Sequence, residues 1–256
     1  MSAIPSSFWK TLPLGDGVVV LGHDSNGLGA LAKPAGVLSH PNEDGKERTR
    51  ALLGAEYDLK DECYTWKDTA SGDVRRLWLL NRLDSSTSGV ILVAADGRLA
   101  TDVKAQFQRK AIAKTYAALV FGTPRVPREV WRDRLAVERK GGVVRSSAAG
   151  GHIPAESECR VLRGSHGAQP LTLLELKPHT GRTHQLRVQC AKRHLPIVGD
   201  QTYGDFRRNR EFTKASKEKR MFLHSLETQV HYTWAGRSWS FSAKAELPPE
   251  FAAALR

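Results

Sequence analysis

Cysteine is scarce in this chain. Cys63, Cys159 and Cys190 are the only three in 256 residues, and no two form a C-x-x-C pair. That spacing argues against a disulfide framework or a zinc ribbon. Long apolar runs are also missing: no stretch approaches the roughly 18 residues that cross a bilayer as a helix. The N-terminus, Met1-Ser2-Ala3-Ile4-Pro5, has neither the basic nor the apolar region of a secretion signal. No internal repeat or low-complexity block stands out. These absences set the default expectation: a soluble chain in a reducing, cytoplasmic setting, with no membrane partner.

Charge is plentiful and lopsided. Lys and Arg number 39 against 27 Asp and Glu, a formal net charge of +12. Such a surplus attracts a polyanion, most simply nucleic acid. Hydrophobic residues make up 40% of the chain, enough for a real core. A solvated basic surface is the plain alternative at this stage.

Short strand-like runs dominate the chain. They include residues 18–21, 90–95, 115–120, 130–135, 143–144, 156–162 and 171–178. Residues 228–243 resemble a hairpin around Ala235-Gly236-Arg237. Leu99, Val103 and Phe107 recur at i, i+4 and i+8, which predicts an amphipathic helix over 96–110. A turn and then a helix are expected over 180–196, with Thr183 as N-cap, and a short C-terminal helix after Pro248-Pro249. Residues 40–75 are polar and irregular, and read as mostly loop with one short helix near Thr49–Leu53. Strands and helices do not alternate regularly, so the expected fold is α+β with a mixed, mainly antiparallel central sheet and flanking helices and loops. One catalytic domain over 27–256 is expected, preceded by an N-terminal extension, 1–26. A monomer with no obligatory protein partner is the default.

Asp84 is the first candidate for chemistry. It lies in "NRLDSSTSGVILVAAD", between Arg82 and a hydroxyl-rich turn that leads into six apolar residues. Local spacing alone favours an Asx-turn residue. A carboxylate at the mouth of a buried strand is costly unless a cation pairs with it. Arg82 is one candidate partner. "KPHTGRTHQLR", residues 177–187, is a second cluster, with Arg182, His184, Gln185 and Arg187 around a glycine turn. Arg187 sits between Leu186 and Val188, so it is expected to be partly buried with a carboxylate partner. No Cys, Asp or Glu spacing around the histidines supports a metal site. Residues 207–220 carry seven Lys/Arg and two Glu, a surplus of five, with Arg207, Arg208 and Arg210 at the front. They read as a phosphate-contacting arm or as a solvated face.

Five stretches, in order, resemble the RluA-type RNA pseudouridine synthases. They are "LAKPAGVLSHP", "NRLDSSTSGVILVA", "KTYAALVFG", "ELKPHTGRTHQLRVQCAKRHLPIVGDQTYG" and "RMFLHSLETQV". The resemblance implies a central RNA-binding cleft and a metal-free, cofactor-free isomerisation of uridine in tRNA or rRNA. It makes Asp84 the catalytic aspartate, which either attacks the nucleoside or removes a sugar proton. It makes Arg187 the arginine that pairs with Asp84, and Tyr116 the residue that stacks on the target base. Leu223 becomes an apolar packer against that base, and Arg82 fills the gap left by the flipped nucleotide. Arg182, His184, Gln185, Arg207, Arg208 and Arg210 are expected to bind substrate. Asn81 departs from the family, which commonly has His there. Only about 30 residues precede the first motif, too few for the S4-like module of many relatives. A catalytically inactive RNA-binding protein of the same fold is the alternative.

Overall fold

The computed structural model describes residues 3–41, 47–69, 71–140, 143–147, 151–165 and 169–256. In chain order the elements begin with α1 (Ser6–Lys10), β1 (Val19–His23), β2 (Leu28–Lys33), β3 (Glu56–Asp58), β4 (Cys63–Lys67), β5 (Val74–Leu79), β6 (Ser88–Ala94) and α2 (Gly97–Gln108). Then come β7 (Ala113–Phe121), β8 (Arg128–Lys140), β9 (Val143–Ser147), β10 (Ile153–Gly164), β11 (Leu171–Pro178), α3 (Gln185–Lys192) and α4 (Phe206–Ser216). The chain closes with β12 (Leu223–Trp234), β13 (Arg237–Lys244) and α5 (Pro249–Ala253). Every pairing with a described register is antiparallel. Leu38 and Ala51 form a parallel bridge. The fold is α+β with mainly antiparallel strands, as the sequence pattern predicts.

Two compact units divide the chain. One comprises residues 1–112 and 227–245, the other 113–226 and 246–256.

β6 organises the first unit. It is bonded to β2, β5 and β12, and all seven of its residues are buried. Strand side chains alternate between faces, so β6 feeds two cores. Val90, Leu92 and Ala94 pack with Leu28, Ala30, Leu99, Val103 and Val230. Ile91 and Val93 pack on the other face with Trp9, Leu31, Leu52 and Leu77. A strand covered on both faces reads as a continuous apolar run, which is why 90–95 was legible. α2 covers the first face through Leu99, Ala100 and Val103. Asp96 caps it, its Oδ1 accepting from the N–H groups of Arg98 (2.8 Å) and Leu99 (3.1 Å). α1 serves the second face through Phe8 and Trp9, and an added Cβ at Gly29 would lie 2.3 Å from the Trp9 ring.

β7 does the same for the second unit. Ala118 and Val120 face a core with Trp131, Leu174, Leu176, and α3's Leu186 and Cys190. Ala117, Leu119 and Phe121 face another, closed by Phe222, Phe251 and Leu255. Here β12 lies beside β7, followed by β11, β10, β8 and β9.

Three expectations need correction. Residues 40–75 are not mostly loop: β3, β4 and the start of β5 lie within them, and the helical piece is one 3₁₀ turn, Arg48–Arg50. β3 is three residues long and largely exposed, and in β4 and β5 the buried Cys63, Tyr64, Leu77 and Leu79 are mixed with charged and polar residues, so no continuous apolar run marks the start of the sheet. Thr183 does not cap α3. His184 occupies the cap position in a left-handed conformation, φ 52°, without a side-chain capping bond. The turn is closed from inside the helix instead, because Gln185 Oε1 accepts from Arg182 N–H at 3.1 Å. The helix itself spans Gln185–Lys192, shorter than the 180–196 stretch suggested. The basic tract forms a helix, α4, over most of its length.

Candidate active site

In the first unit the loop between β5 and β6 presents Asp84. The loop is tied down along most of its length. Leu80 N–H donates to Leu92 O at 3.0 Å, and Asn81 Oδ1 accepts from Leu92 N–H at 2.8 Å. Strand pairing between β5 and β6 stops at Leu79–Val93, so Asn81 supplies the acceptor that the next strand residue would have given. Ser39 Oγ donates to Leu83 O at 2.8 Å and accepts from Leu83 N–H at 3.1 Å. Thr87 N–H donates to Asp84 O at 3.0 Å, closing the turn.

Lys33 holds the next residue. It is only 1% exposed, and its Nζ donates to the carbonyls of Pro34 (3.0 Å), Val37 (2.6 Å) and Ser85 (2.9 Å). Three carbonyls match the three donors of an ammonium, which is how a buried cation is tolerated. Gly36 N–H also donates to Ser85 O at 2.7 Å. The "KPAGV" turn and the residue after Asp84 are thus one bonded unit. Asp84 is half-buried and Arg82 exposed. The Arg82 Nη1 atom lies 3.5 Å from His40 Nε2.

The second unit carries the other candidates. Leu223 belongs to the core that contains Leu186 and Cys190 of α3, and Tyr116 packs against that core. Arg187, one residue further along α3, bonds Asp200. Its Nε donates to Asp200 Oδ2 at 2.7 Å and its Nη2 to Asp200 Oδ1 at 2.8 Å. Both side chains are buried, and the guanidinium lies 5.0 Å over the Tyr203 ring. Asp200 Oδ1 also takes the N–H groups of Thr202 and Tyr203, at 2.8 and 3.0 Å. Burial alone would raise this carboxyl's pKa, but the Arg187 bonds and charge and the two N–H groups outweigh it, and it is held below the ordinary value. Gly199, with φ +78°, is required beside it, since a Cβ there would lie 2.0 Å from Arg220 O. α4 is pinned to the same turn: Asn209 Oδ1 accepts from Gly199 N–H (2.8 Å) and its Nδ2 donates to Asp200 O (3.0 Å).

The remaining candidates divide by environment. Gln185 is buried, and its amide is fully engaged. Oε1 accepts from Thr180 Oγ1 (2.7 Å) and Arg182 N–H (3.1 Å), while Nε2 donates to Glu156 O (3.0 Å) and Ser157 Oγ (2.9 Å). It braces the 180–182 turn. Arg182 Nε donates to Pro154 O at 3.3 Å, and His184 Nδ1 lies 2.9 Å from the Tyr203 hydroxyl. On α4, Arg207 and Arg210 are exposed, and Arg207 reaches Glu211 at 3.4 Å. Arg208 instead lies 4.4 Å over the Phe121 ring.

Sequence reasoning passed over Lys33, Ser39 and Asp200. Lys33 had a signal, a lysine inside the apolar stretch "LGALAKP". Asp200 stood in "VGDQTYG" beside the glycine its turn requires. The three cysteines are buried and free, and burial pushes all three thiols up, Cys159 to about 12. Thiolate chemistry is disfavoured at such positions. Among the described residues no group of three or more His, Cys, Asp or Glu could hold a metal ion. None of the described helices is long and apolar enough to cross a membrane.

Fold and loop define an α+β protein with one carboxylate presented from a heavily bonded turn. Residues 28–192 match the profile of RNA pseudouridylate synthase, and the chain belongs to that family. It is 30% identical over 232 residues to tRNA pseudouridine synthase C of Pectobacterium carotovorum, covering 86% of this chain and 57% of that protein. It is 37% identical over 158 residues to ribosomal large subunit pseudouridine synthase C of Vibrio cholerae, covering 61% of this chain and 48% of that protein. The chain thus spans about half the length of these two relatives. The structure of human RNA pseudouridylate synthase domain containing 1 shares the fold, with a TM-score of 0.66 at 23% identity over 93% of this chain and 88% of that one.

Proposed function

We propose that the protein converts specific uridines in structured RNA to pseudouridine. The observation that carries this reading is the Asp84 turn, fixed by Lys33, Ser39 and Asn81 in a chain of this family. The reaction breaks the N1–C1′ bond, turns the base, and joins C5 to C1′; the C5 proton is lost and N1 gains one. No redox step enters, so no cofactor is called for. Asp84 must be ionised, whether it attacks the nucleoside or takes a sugar proton. Arg187 is assigned to pair with it. Its position is set by Asp200, which leaves the guanidinium little freedom to turn.

The target base lies inside a stack, so the nucleotide must be flipped before the bond can be reached. Arg82 fills the gap, a task suited to a planar guanidinium that stacks and hydrogen-bonds. Tyr116 stacks on the flipped base, with Leu223 packing beside it. Arg182 and His184 contact the RNA, and Gln185 acts by holding their turn. Arg207, Arg208 and Arg210 on α4 contact phosphates. The inactive-binder alternative leaned on Asn81. That side chain bonds a strand amide, so its identity does not signal lost chemistry. The relatives are named for tRNA in one case and the large ribosomal subunit in the other; both are candidate substrates. The test is to incubate RNA from a strain lacking the gene with purified protein and map pseudouridines. New sites in tRNA or rRNA, absent with Asp84→Asn, are expected. No new site with wild type would overturn the reading.

A further inference from the structure

His40 stands in the first unit beside Arg82, and its place is set from several sides. Leu38 N–H donates to Arg50 O at 2.7 Å, Tyr64 Oη donates to Ser39 O at 2.8 Å, and Ser39 Oγ is bonded twice to Leu83. The His40 ring is stacked on Tyr57, with centroids 4.9 Å apart and planes 7° from parallel. Tyr57 in turn packs on Tyr64 at 4.8 Å. The imidazole is therefore one end of an aromatic column rooted in the core.

Its tautomer follows from its neighbours. His40 Nδ1 lies 3.0 Å from Pro41 O, and a carbonyl only accepts, so Nδ1 carries the hydrogen. In the neutral ring Nε2 is then an acceptor, and Arg82 Nη1 faces it at 3.5 Å. Among the described residues no carboxylate forms an ion pair with Arg82. A carboxylate would neutralise the guanidinium and compete with phosphate for it. A ring-nitrogen acceptor orients it without an opposing charge.

We propose that His40 is a positioning residue for Arg82. It holds the exposed guanidinium near the Asp84 turn, so that less side-chain freedom is lost when Arg82 enters the RNA. The inference rests on the role given to Arg82 above and goes beyond it by naming what prepares that residue. Two variants separate the two contacts of the ring. His40→Phe keeps the stack on Tyr57 and removes the acceptor. His40→Gln keeps an acceptor within reach and gives up the stack.

The experiment measures tritium released from [5-³H]uridine-labelled total RNA of a strain lacking the gene. Wild type, both His40 variants, Arg82→Ala and His40→Phe/Arg82→Ala are compared, each checked by its melting temperature. His40→Phe is expected to lower kcat/KM roughly 3- to 10-fold, the scale of freezing one long side chain. His40→Gln recovers most of that loss. In the Arg82→Ala background His40→Phe changes nothing further, because the residue acts only through Arg82. A full loss from His40→Phe in that background, or a native rate for Phe with a defective Gln, would overturn the inference, since the stack alone would then matter. A native rate for Arg82→Ala would instead remove the role of Arg82 itself, and the inference with it.

Discussion

Arg187 and Asp200 form a two-bond ion pair inside the second unit, at 2.7 and 2.8 Å, with Tyr203 against the guanidinium. The carboxylate is tied in addition to two backbone N–H groups of its own turn. The arginine assigned to the chemistry is thus held in place by Asp200.

Removing that carboxylate strands a buried cation. Asp200→Ala is expected to cost about 3–5 kcal/mol, the usual penalty for breaking a buried pair from one side. Chemical denaturation measures it. Arg187→Lys will not restore the wild-type rate, because an ammonium cannot make both bonds at once. A stability within about 0.5 kcal/mol of wild type for Asp200→Ala, the range of ordinary surface changes, would show that the pair is dispensable.

The same pair predicts an acid-sensitive fold. The Asp200 pKa is lowered in the folded state from an ordinary 3.8. Its contribution is therefore complete above the unfolded value and is lost as pH falls through the folded one. Stability of the wild type should drop as pH falls below about 4, and Asp200→Asn should drop less steeply over the same window. Equal slopes would count against it. Asp133, also buried and lowered by Lys192, Gln189 and Arg193, adds the same slope to both proteins.

Asn81 gives a prediction on folding. Asn81→Ala leaves Leu92 N–H without its acceptor and should cost about 1–3 kcal/mol. Asn81→His keeps a ring nitrogen able to accept and should retain most of the rate and stability. Thermal melts and tritium release check both. A stable Asn81→Ala with an abolished rate would place Asn81 in the chemistry instead.

The basic helix should separate into two behaviours. Arg207→Ala and Arg210→Ala, both exposed, should weaken RNA binding and each flatten the salt dependence by about one unit of log–log slope. Arg208→Ala should in addition lower stability by about 0.5–1 kcal/mol, because its guanidinium lies on Phe121. Filter binding across a salt series reads the first effect and denaturation the second. An unchanged slope would show that α4 does not touch RNA.

These residues also show what the sequence made legible. β6 was visible because both of its faces are covered, and α2 because Leu99, Val103 and Phe107 repeat at helical spacing. The partly buried Arg187 called for a carboxylate, which Asp200 supplies. Its partner could not be chosen from sequence, since the pairing depends on the 199–203 turn folding against α3. Lys33 was unreadable for a similar reason: a lysine in an apolar strand is tolerable only where three carbonyls converge, and one of these lies 52 residues away. β3 to β5 went unseen because β3 is short and exposed, and because the buried residues of β4 and β5 are interrupted by Thr65, Lys67, Arg75 and Arg76. Asp84 itself, by local spacing a turn residue, stood out only through the order of the surrounding motifs. The turn does exist, and Thr87 closes it.

The central claim is that Asp84 performs the isomerisation. The direct measurement is the pseudouridine content of RNA from a strain lacking the gene, after incubation with wild type or with Asp84→Asn. Both proteins are first matched in melting temperature and RNA affinity. The account predicts new pseudouridine with wild type and none above background with Asp84→Asn, although that variant still folds and binds. Equal pseudouridine from both proteins would contradict it.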